Sequence, residues 1–268
     1  MRGKIFVACH KKCDVPSDEV YLPVFVGAHG KPDNGFQRDD VGENISIKNA
    51  LYCELTGLYW CWKNTKYDFL GLSHYRRFFT LKTKREQKMQ GLLQSVISLE
   101  ECEKLLSNYR VIVPRKRNYY IETVYNHYNH TFDGKQLDLA RDILSERHPE
   151  QIVEFDDLMK GKKAYVFNMF IMGWDLVDDY CSWLFPILNE LEKRYDTTGM
   201  TAFEKRYIGR VAERLFNVWL NSKVKTGELK PQDIREIPYT YFGEVNWPKK
   251  IIRFLLAKFF HLKYEQSF

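Results

Sequence analysis

Phe69-Leu-Gly-Leu-Ser-His-Tyr-Arg-Arg-Phe-Phe79 decides how this chain is read. An apolar run after Tyr67-Asp68 reads as a short buried strand, and it breaks off into an imidazole, a phenol and two adjacent guanidinium groups. Arginine cannot be neutralised, so each guanidinium at a buried strand end needs an anionic partner or water. In open α/β sheets the ligand crevice lies beyond the carboxyl ends of the strands, which is where this cluster falls. Two readings stay open here: a pocket for a phosphate or diphosphate, and an internal salt-bridge cluster.

Working outward, the pattern repeats. Lys4–Cys9 reads as a first strand and runs straight into His10-Lys11-Lys12, while Arg110–Pro114 reads as another and runs into Arg115-Lys-Arg117. Three strands whose carboxyl ends turn basic, converging on one face, say more than any one of them. Tyr21–Val26 is a further apolar run, closed by Gly27 and Gly30. The polar loop from Ala28 to Glu43 holds Asp39 and Asp40, and long loops in compact domains are often functional. Ser46 is placed as the N-cap of a helix whose Leu51, Leu55, Leu58 and Trp62 make one apolar face. Strand, loop, helix, strand is a βαβ-type unit, so the class is α/β with a mostly parallel central sheet flanked by helices.

Further on, residues 81–94 read as a surface segment, 99–109 as a short helix, and 119–130 as a helical, polar-aromatic stretch. His127 and His130, at i and i+3, share a helix face, but no third ligand stands at metal spacing. A helix through Leu137–Arg147 ends before Pro149. Ala164–Met172 reads as a strand with Asn168 as its one interior polar side chain, which needs a hydrogen-bond partner; a ligand hydroxyl is one option. Helices are expected over Leu176–Tyr195 and Phe203–Leu220, the latter carrying Arg206, Arg210, Glu213 and Arg214.

Composition sets the outer limits. The 268 residues suit one large domain with an appendage, and 44% apolar with 28% charged residues is ordinary for a soluble globular protein. The net charge of +6 is mild and spread out, and no recognisable module or basic stripe argues for nucleic acid. Cys9, Cys13, Cys53, Cys61, Cys102 and Cys181 show no C-x-x-C pair and no metal-ligand rhythm. With no signal peptide at the N-terminus, they read as free thiols in a reducing cytoplasm.

The segment 246–264 behaves differently. Ile251, Ile252, Leu255, Leu256, Phe259 and Leu262 fall on one side of a helical wheel, opposite Lys249, Lys250, Arg253 and His261. A basic amphipathic helix of this kind suits an anionic membrane surface. The other reading is a C-terminal helix docked on the domain or on a second subunit, as in a homodimer. The division expected is therefore a domain over 1–240 and a basic tail over 241–268.

Several ordered motifs resemble one bacterial family: Glu43-Asn-Ile-Ser-Ile-Lys-Asn49, Tyr52-Cys-Glu-Leu-Thr56, Trp62-Lys-Asn64, Gly71-Leu-Ser-His-Tyr-Arg-Arg77, Asn168-Met-Phe-Ile-Met172 and Glu213-Arg-Leu-Phe216. That family, long a domain of unknown function, is found in capsular and exopolysaccharide clusters and includes galactofuranosyltransferases. The resemblance covers roughly residues 3–235 and implies a GT-A-like fold binding a nucleotide sugar at its strand ends. Many GT-A enzymes place an Asp-x-Asp there to hold a divalent metal. This sequence has His74-Tyr75-Arg76 in that place, which favours transfer without a metal over transfer with Mn2+ or Mg2+.

The resemblance also distributes roles. Arg76 and Arg77 would stabilise the departing diphosphate, with Arg214 or Arg210 closing the site, and Glu213 is favoured as the catalytic carboxylate over Asp175, Asp178, Asp179, Asp39 and Asp40. The other reading of Glu213 is a helix-surface pair with Arg210 or Arg206. His10, Lys11, Asp39, Asp40, Asn44, Ser46, Asn49, His74 and Tyr75 are assigned to the donor, and His127, His130, Asn168 and Asp175 to the sugars. The implied activity is transfer of a galactose-type hexose, pyranose or furanose, from a UDP-sugar to a lipid-linked oligosaccharide, for capsule, exopolysaccharide or O-antigen. The enzyme would be cytoplasmic and peripheral at the inner face of the plasma membrane. The alternative is a non-catalytic nucleotide- or glycan-binding module of a polysaccharide assembly complex.

Overall fold

A computed structural model describes residues 2–243; the helix expected over 246–264 lies outside the described residues. The chain opens with β1 (Lys4–Cys9), β2 (Tyr21–Phe25) and β3 (Gln37–Arg38). The helices α1 (Asn49–Tyr52) and α2 (Leu55–Asn64) follow, then β4 (Phe69–His74), β5 (Arg77–Phe79), α3 (Lys84–Gln90) and α4 (Leu99–Leu106). Next come β6 (Val111–Pro114), β7 (Arg117–Asn118), α5 (Val124–Thr131), α6 (Lys135–Arg147) and α7 (Ile152–Lys160). Last are β8 (Lys163–Ala164), β9 (Phe170–Gly173), α8 (Trp174–Arg194), α9 (Tyr207–Lys225), β10 (Ile234–Ile237) and β11 (Tyr239–Tyr241).

The main sheet runs β10-β6-β9-β4-β1-β2-β3, with β5 and β11 joined beside β4. β1 pairs in parallel with β2 and β4, β2 with β3, and β10 with β6, while β9 runs antiparallel between β4 and β6. The sequence explains why these strands lie inside. β1 and β4 are near-continuous apolar runs, as strands covered on both faces must be. Alternate side chains feed opposite layers: Phe6, Ala8, Leu70, Leu72, Val111 and Val113 join the core under α2 and α5–α9. Ile5, Val7, Phe69 and Ile112 join the second core, with Cys102, Phe78 and Phe79, on the side of α4 and β5.

Gly71 is fixed by close approach. A Cβ there would lie 2.9 Å from Ile5 Cγ1, 3.0 Å from Ile171 Cγ1 and 3.1 Å from the Phe170 carbonyl. Both neighbouring strands press against it.

Several local expectations are corrected. The helix placed from Ser46 to Trp62 is broken: a 3-10 turn and α1 lead to Cys53, at φ 53°, before α2 begins. Ser46 does not cap it: it lies inside the 3-10 turn, and its hydroxyl accepts from the His29 N–H while donating to Asp39. The strand placed over 164–172 is split, since Phe167 (φ 73°) and Asn168 (φ 52°) are left-handed and cannot stay in a ladder. β8 therefore pairs with β7, and β9 starts anew. The surface segment holds α3, and α7, β10 and β11 are added to the elements expected. Among the described residues no helix is long and apolar enough to cross a membrane.

Candidate active site

The carboxyl ends of β1, β2, β4 and β6 meet at one edge of the sheet, and the reversed β9 brings its leading turn, Val166–Asn168, to the same edge. There His74 Nε2 lies 2.6 Å from the Phe167 carbonyl oxygen, so this nitrogen carries the proton and donates. The Arg77 guanidinium stacks 4.2 Å over Phe167 and 5.2 Å over Tyr241. Arg76 stacks over Tyr75 at 5.1 Å, and Tyr75 meets His10 edge to face at 4.7 Å. Among the described residues neither guanidinium has a carboxylate at ion-pair distance. Aromatic faces hold both side chains while leaving their N–H groups for a ligand.

These residues open into a cleft of two joined chambers. The outer chamber, about 720 Å³, is lined by His10, Asn49, Tyr75, Arg76 and Lys205 among others. The inner chamber, about 290 Å³, is lined by Arg117, Tyr119, His127, Arg210, Glu213 and Arg214 among others. Cys53, Glu54, His74, Arg77 and Arg206 belong to both and mark the junction. Cationic groups crowd the walls, and Glu54 and Glu213 are the carboxylates that face them.

Burial and charge tune these groups. Burial, with the charges of Lys11, Arg76, Arg206 and Lys31, holds His10 below the usual imidazole range. Burial lowers Arg210 to about 10; its guanidinium stacks on Phe132 (4.0 Å) and Phe203 (4.3 Å) and donates to the Phe203 carbonyl. Burial opposes the charge on Arg214, but Tyr119, Glu213 and Tyr128 outweigh it and hold the pKa above the ordinary value. Arg214 donates to Glu213 at 2.7 Å, and its buried Nε has no partner among the described residues. Cys53 receives a hydrogen bond from Arg206 Nε at 3.3 Å, yet burial and Glu54 push its thiol up to about 11.

Of the residues assigned from sequence, the fold brings His10, Asn49, His74, Tyr75, Arg76, Arg77, His127, Glu213 and Arg214 into the cleft. Others have different work. Asp39 is fully buried and accepts from the Gly27 N–H (2.8 Å), the Ala28 N–H (3.0 Å) and the Ser46 hydroxyl, fixing the turn after β2. Ser46 in turn accepts from the His29 N–H at 3.1 Å. Asp40 is held by Arg38 through two bonds, at 2.9 and 2.7 Å. Asn44 is half-buried and closes its own turn onto the Gly42 carbonyl. Lys11 is exposed and does not line the cleft.

Asp175 pairs with Arg110 at 2.7 Å at the opposite edge of the sheet, because β9 runs antiparallel and ends there. His127 and His130 both turn Nδ1 toward the buried Glu122, at 3.2 and 3.1 Å. Among the described residues no group of three or more His, Cys, Asp or Glu could hold a metal ion.

Asn168 supports the cleft from behind. Its Nδ2 donates to Glu54 Oε1 at 2.7 Å and to the Gly209 carbonyl at 3.0 Å, while its buried Oδ1 has no partner among the described residues. Glu54 was absent from the residues assigned by sequence reasoning, as was Arg117; Arg206 was considered only as a surface partner for Glu213. The sequence carried one signal for Glu54, its place inside Tyr52-Cys-Glu-Leu-Thr56, but the chain break that aims it has no glycine or proline to announce it.

The fold has a counterpart among solved structures. The chain superposes on a WbbM bifunctional glycosyltransferase, in its apo form, with a TM-score of 0.81 and 29% identity. The match covers 91% of this chain and 46% of that one, so the chain spans about half the length of its structural relative. The mixed α/β architecture is thus a glycosyltransferase fold. By sequence the chain belongs to the family described as a domain of unknown function, DUF4422, whose model matches residues 4–224. No curated protein matches the sequence.

Proposed function

We propose that the chain is a GT-A-like glycosyltransferase acting on a UDP-sugar, with a galactose-type hexose as the transferred group and a lipid-linked glycan as acceptor. The reaction would serve capsule, exopolysaccharide or O-antigen synthesis at the inner face of the plasma membrane. The observation that carries the reading is the cationic junction of the cleft, where Arg77 and Arg206 face Glu54 within a fold shared with a glycosyltransferase.

The chemistry follows from charge. When the bond from the anomeric carbon to the β-phosphate oxygen breaks, UDP departs with the electron pair, and its negative charge must be met where it develops. Arg76, Arg77 and Arg206, which line the outer chamber, are the groups we assign to that role, and planar guanidinium forks match phosphate oxygens. The donor set at the end of β4 is His, Tyr and Arg, which suits a phosphate better than a divalent cation. The acceptor hydroxyl gives its proton to a carboxylate as its oxygen attacks the anomeric carbon. Glu54 stands where the chambers meet, and Glu213 faces the inner chamber tied to Arg214. The first is the favoured base and the second its comparator.

The test is transfer by the full chain from UDP-galactose and UDP-galactofuranose to a lipid-linked acceptor, with and without chelator. Transfer is expected to persist in chelator and to vanish in the Arg76→Ala/Arg77→Ala variant. Loss of activity in chelator, restored by manganese, would overturn the metal-free part. Tight UDP binding without turnover on any acceptor would make the chain a binding module.

A further inference from the structure

We propose that the β7–β8 ribbon and the turn beyond it are a docking wedge for an anionic lipid bilayer. Tyr120 and Ile121 are adjacent at the tip, 75% and 65% exposed. Other large exposed apolar side chains, such as Ile47 and Met89, stand singly, and single ones are unremarkable on any surface. The pair is held out deliberately. Tyr120 is left-handed at φ 56°, its N–H donates to Asn118 Oδ1 at 2.9 Å, and the Ile121 N–H donates to the Tyr119 carbonyl at 2.7 Å. A tyrosine pays for that conformation, and strained residues of this kind cluster where a surface has a task.

The charge around the tip selects the partner. Arg115, Lys116 and Arg117 enter the ribbon on one strand, and Lys160, Lys162 and Lys163 approach it on the other. Neither 115–121 nor 160–163 contains a carboxylate. The acid that follows 115–121, Glu122, is 5% exposed and turned inward to His127 and His130, and the nearest before 160–163 is Asp157, on α7. Among the described residues none of the six cations is in an ion pair. An aromatic and a branched apolar side chain rimmed by lysine and arginine fit the interface of a bilayer carrying anionic headgroups.

The ribbon is also a wall of the cleft, since Arg117 and Tyr119 line the inner chamber. A bilayer at the tip would therefore lie beside the inner chamber, which we take to receive the lipid-linked acceptor. That purpose rests on the proposed transferase activity; the docking itself does not.

The experiment is flotation of the full chain with phosphatidylcholine vesicles, with and without phosphatidylglycerol. Wild type is expected to float with the anionic vesicles only and to be released by salt. Each basic side chain near such a surface strengthens adsorption about fivefold, so Lys162→Glu/Lys163→Glu should weaken it strongly. Tyr120→Gly/Ile121→Ser should lower partitioning about tenfold or more. Because glycine relieves the left-handed strain, that variant should unfold no earlier than wild type and bind UDP equally well. Flotation of this variant equal to wild type would place the membrane contact elsewhere, as in residues 244–268, and overturn the proposal. So would binding to an oligonucleotide that outcompetes vesicles. Vesicle binding without sugar transfer would sink the transferase reading alone, and transfer to a soluble acceptor without vesicle binding would sink this one alone.

Discussion

Glu54 shows how a single side chain can be given a role by its neighbours. Asn168 holds one carboxylate oxygen at 2.7 Å, which fixes the rotamer and leaves the other oxygen for the cleft. Replacing Glu54 with glutamine keeps a carbonyl oxygen for Asn168 and removes only the capacity to accept a proton. We expect Glu54→Gln to lower kcat by about 100-fold or more, with UDP affinity and Tm unchanged, and Glu213→Gln to cost less. Equal kcat in Glu54→Gln and wild type would remove Glu54 from the chemistry. The same contrast explains why sequence reasoning found Arg76 and Arg77 but not Glu54. The arginines follow an apolar run and stand out against it, whereas Glu54 is an acid in a polar helix start that only Cys53's left-handed turn points inward.

At the scale of elements, β4 is the axis of the sheet, and Gly71 is where its neighbours come closest. A methyl at that position meets Ile5 on one side and Ile171 with the Phe170 backbone on the other, all within 3.1 Å. Relief toward one strand worsens the other. Gly71→Ala should destabilise the protein by about 1–3 kcal/mol, read as a lower denaturant midpoint at constant m value; an unchanged midpoint would mean that the strands separate freely. The apolar strands were legible because each is a dense run of buried side chains, as in Lys4–Cys9 and Val111–Pro114. β10 was not, since Ile234-Arg-Glu-Ile237 sits at the sheet edge and exposes its two charged residues. The split between β8 and β9 was hidden for another reason: Phe167 and Asn168 are left-handed without being glycine. Tertiary contacts, among them the Phe167 carbonyl with His74 and the Asn168 amide with Glu54, hold what local preference would not.

At the scale of the whole molecule, stability is tied to pH through His127. Burial and Arg117 lower its pKa from 6.5 to about 4, against the favourable hydrogen bond that its Nδ1 makes to Glu122. Between these values the unfolded chain binds a proton that the folded one refuses. Stability is therefore complete above about pH 6.5 and is lost as pH falls toward 4, by at most about 3 kcal/mol. Chemical denaturation at pH 7 and pH 4.5 should show this loss in wild type and a smaller one in His127→Gln; an equal loss in both would assign the acid sensitivity to other groups. The reversed strand carries a consequence for how the molecule is made. β9 bonds to β4 across roughly a hundred residues of intervening chain, and such distant pairing must overcome loop-closure entropy before it is rewarded. A nascent chain that stops short of Val166 already holds the basic end of β4 but lacks the strand beside it and the turn it faces. Completion of the cationic cleft is thus a late event in the biogenesis of this protein, reached only after the scaffold that displays it has been synthesised.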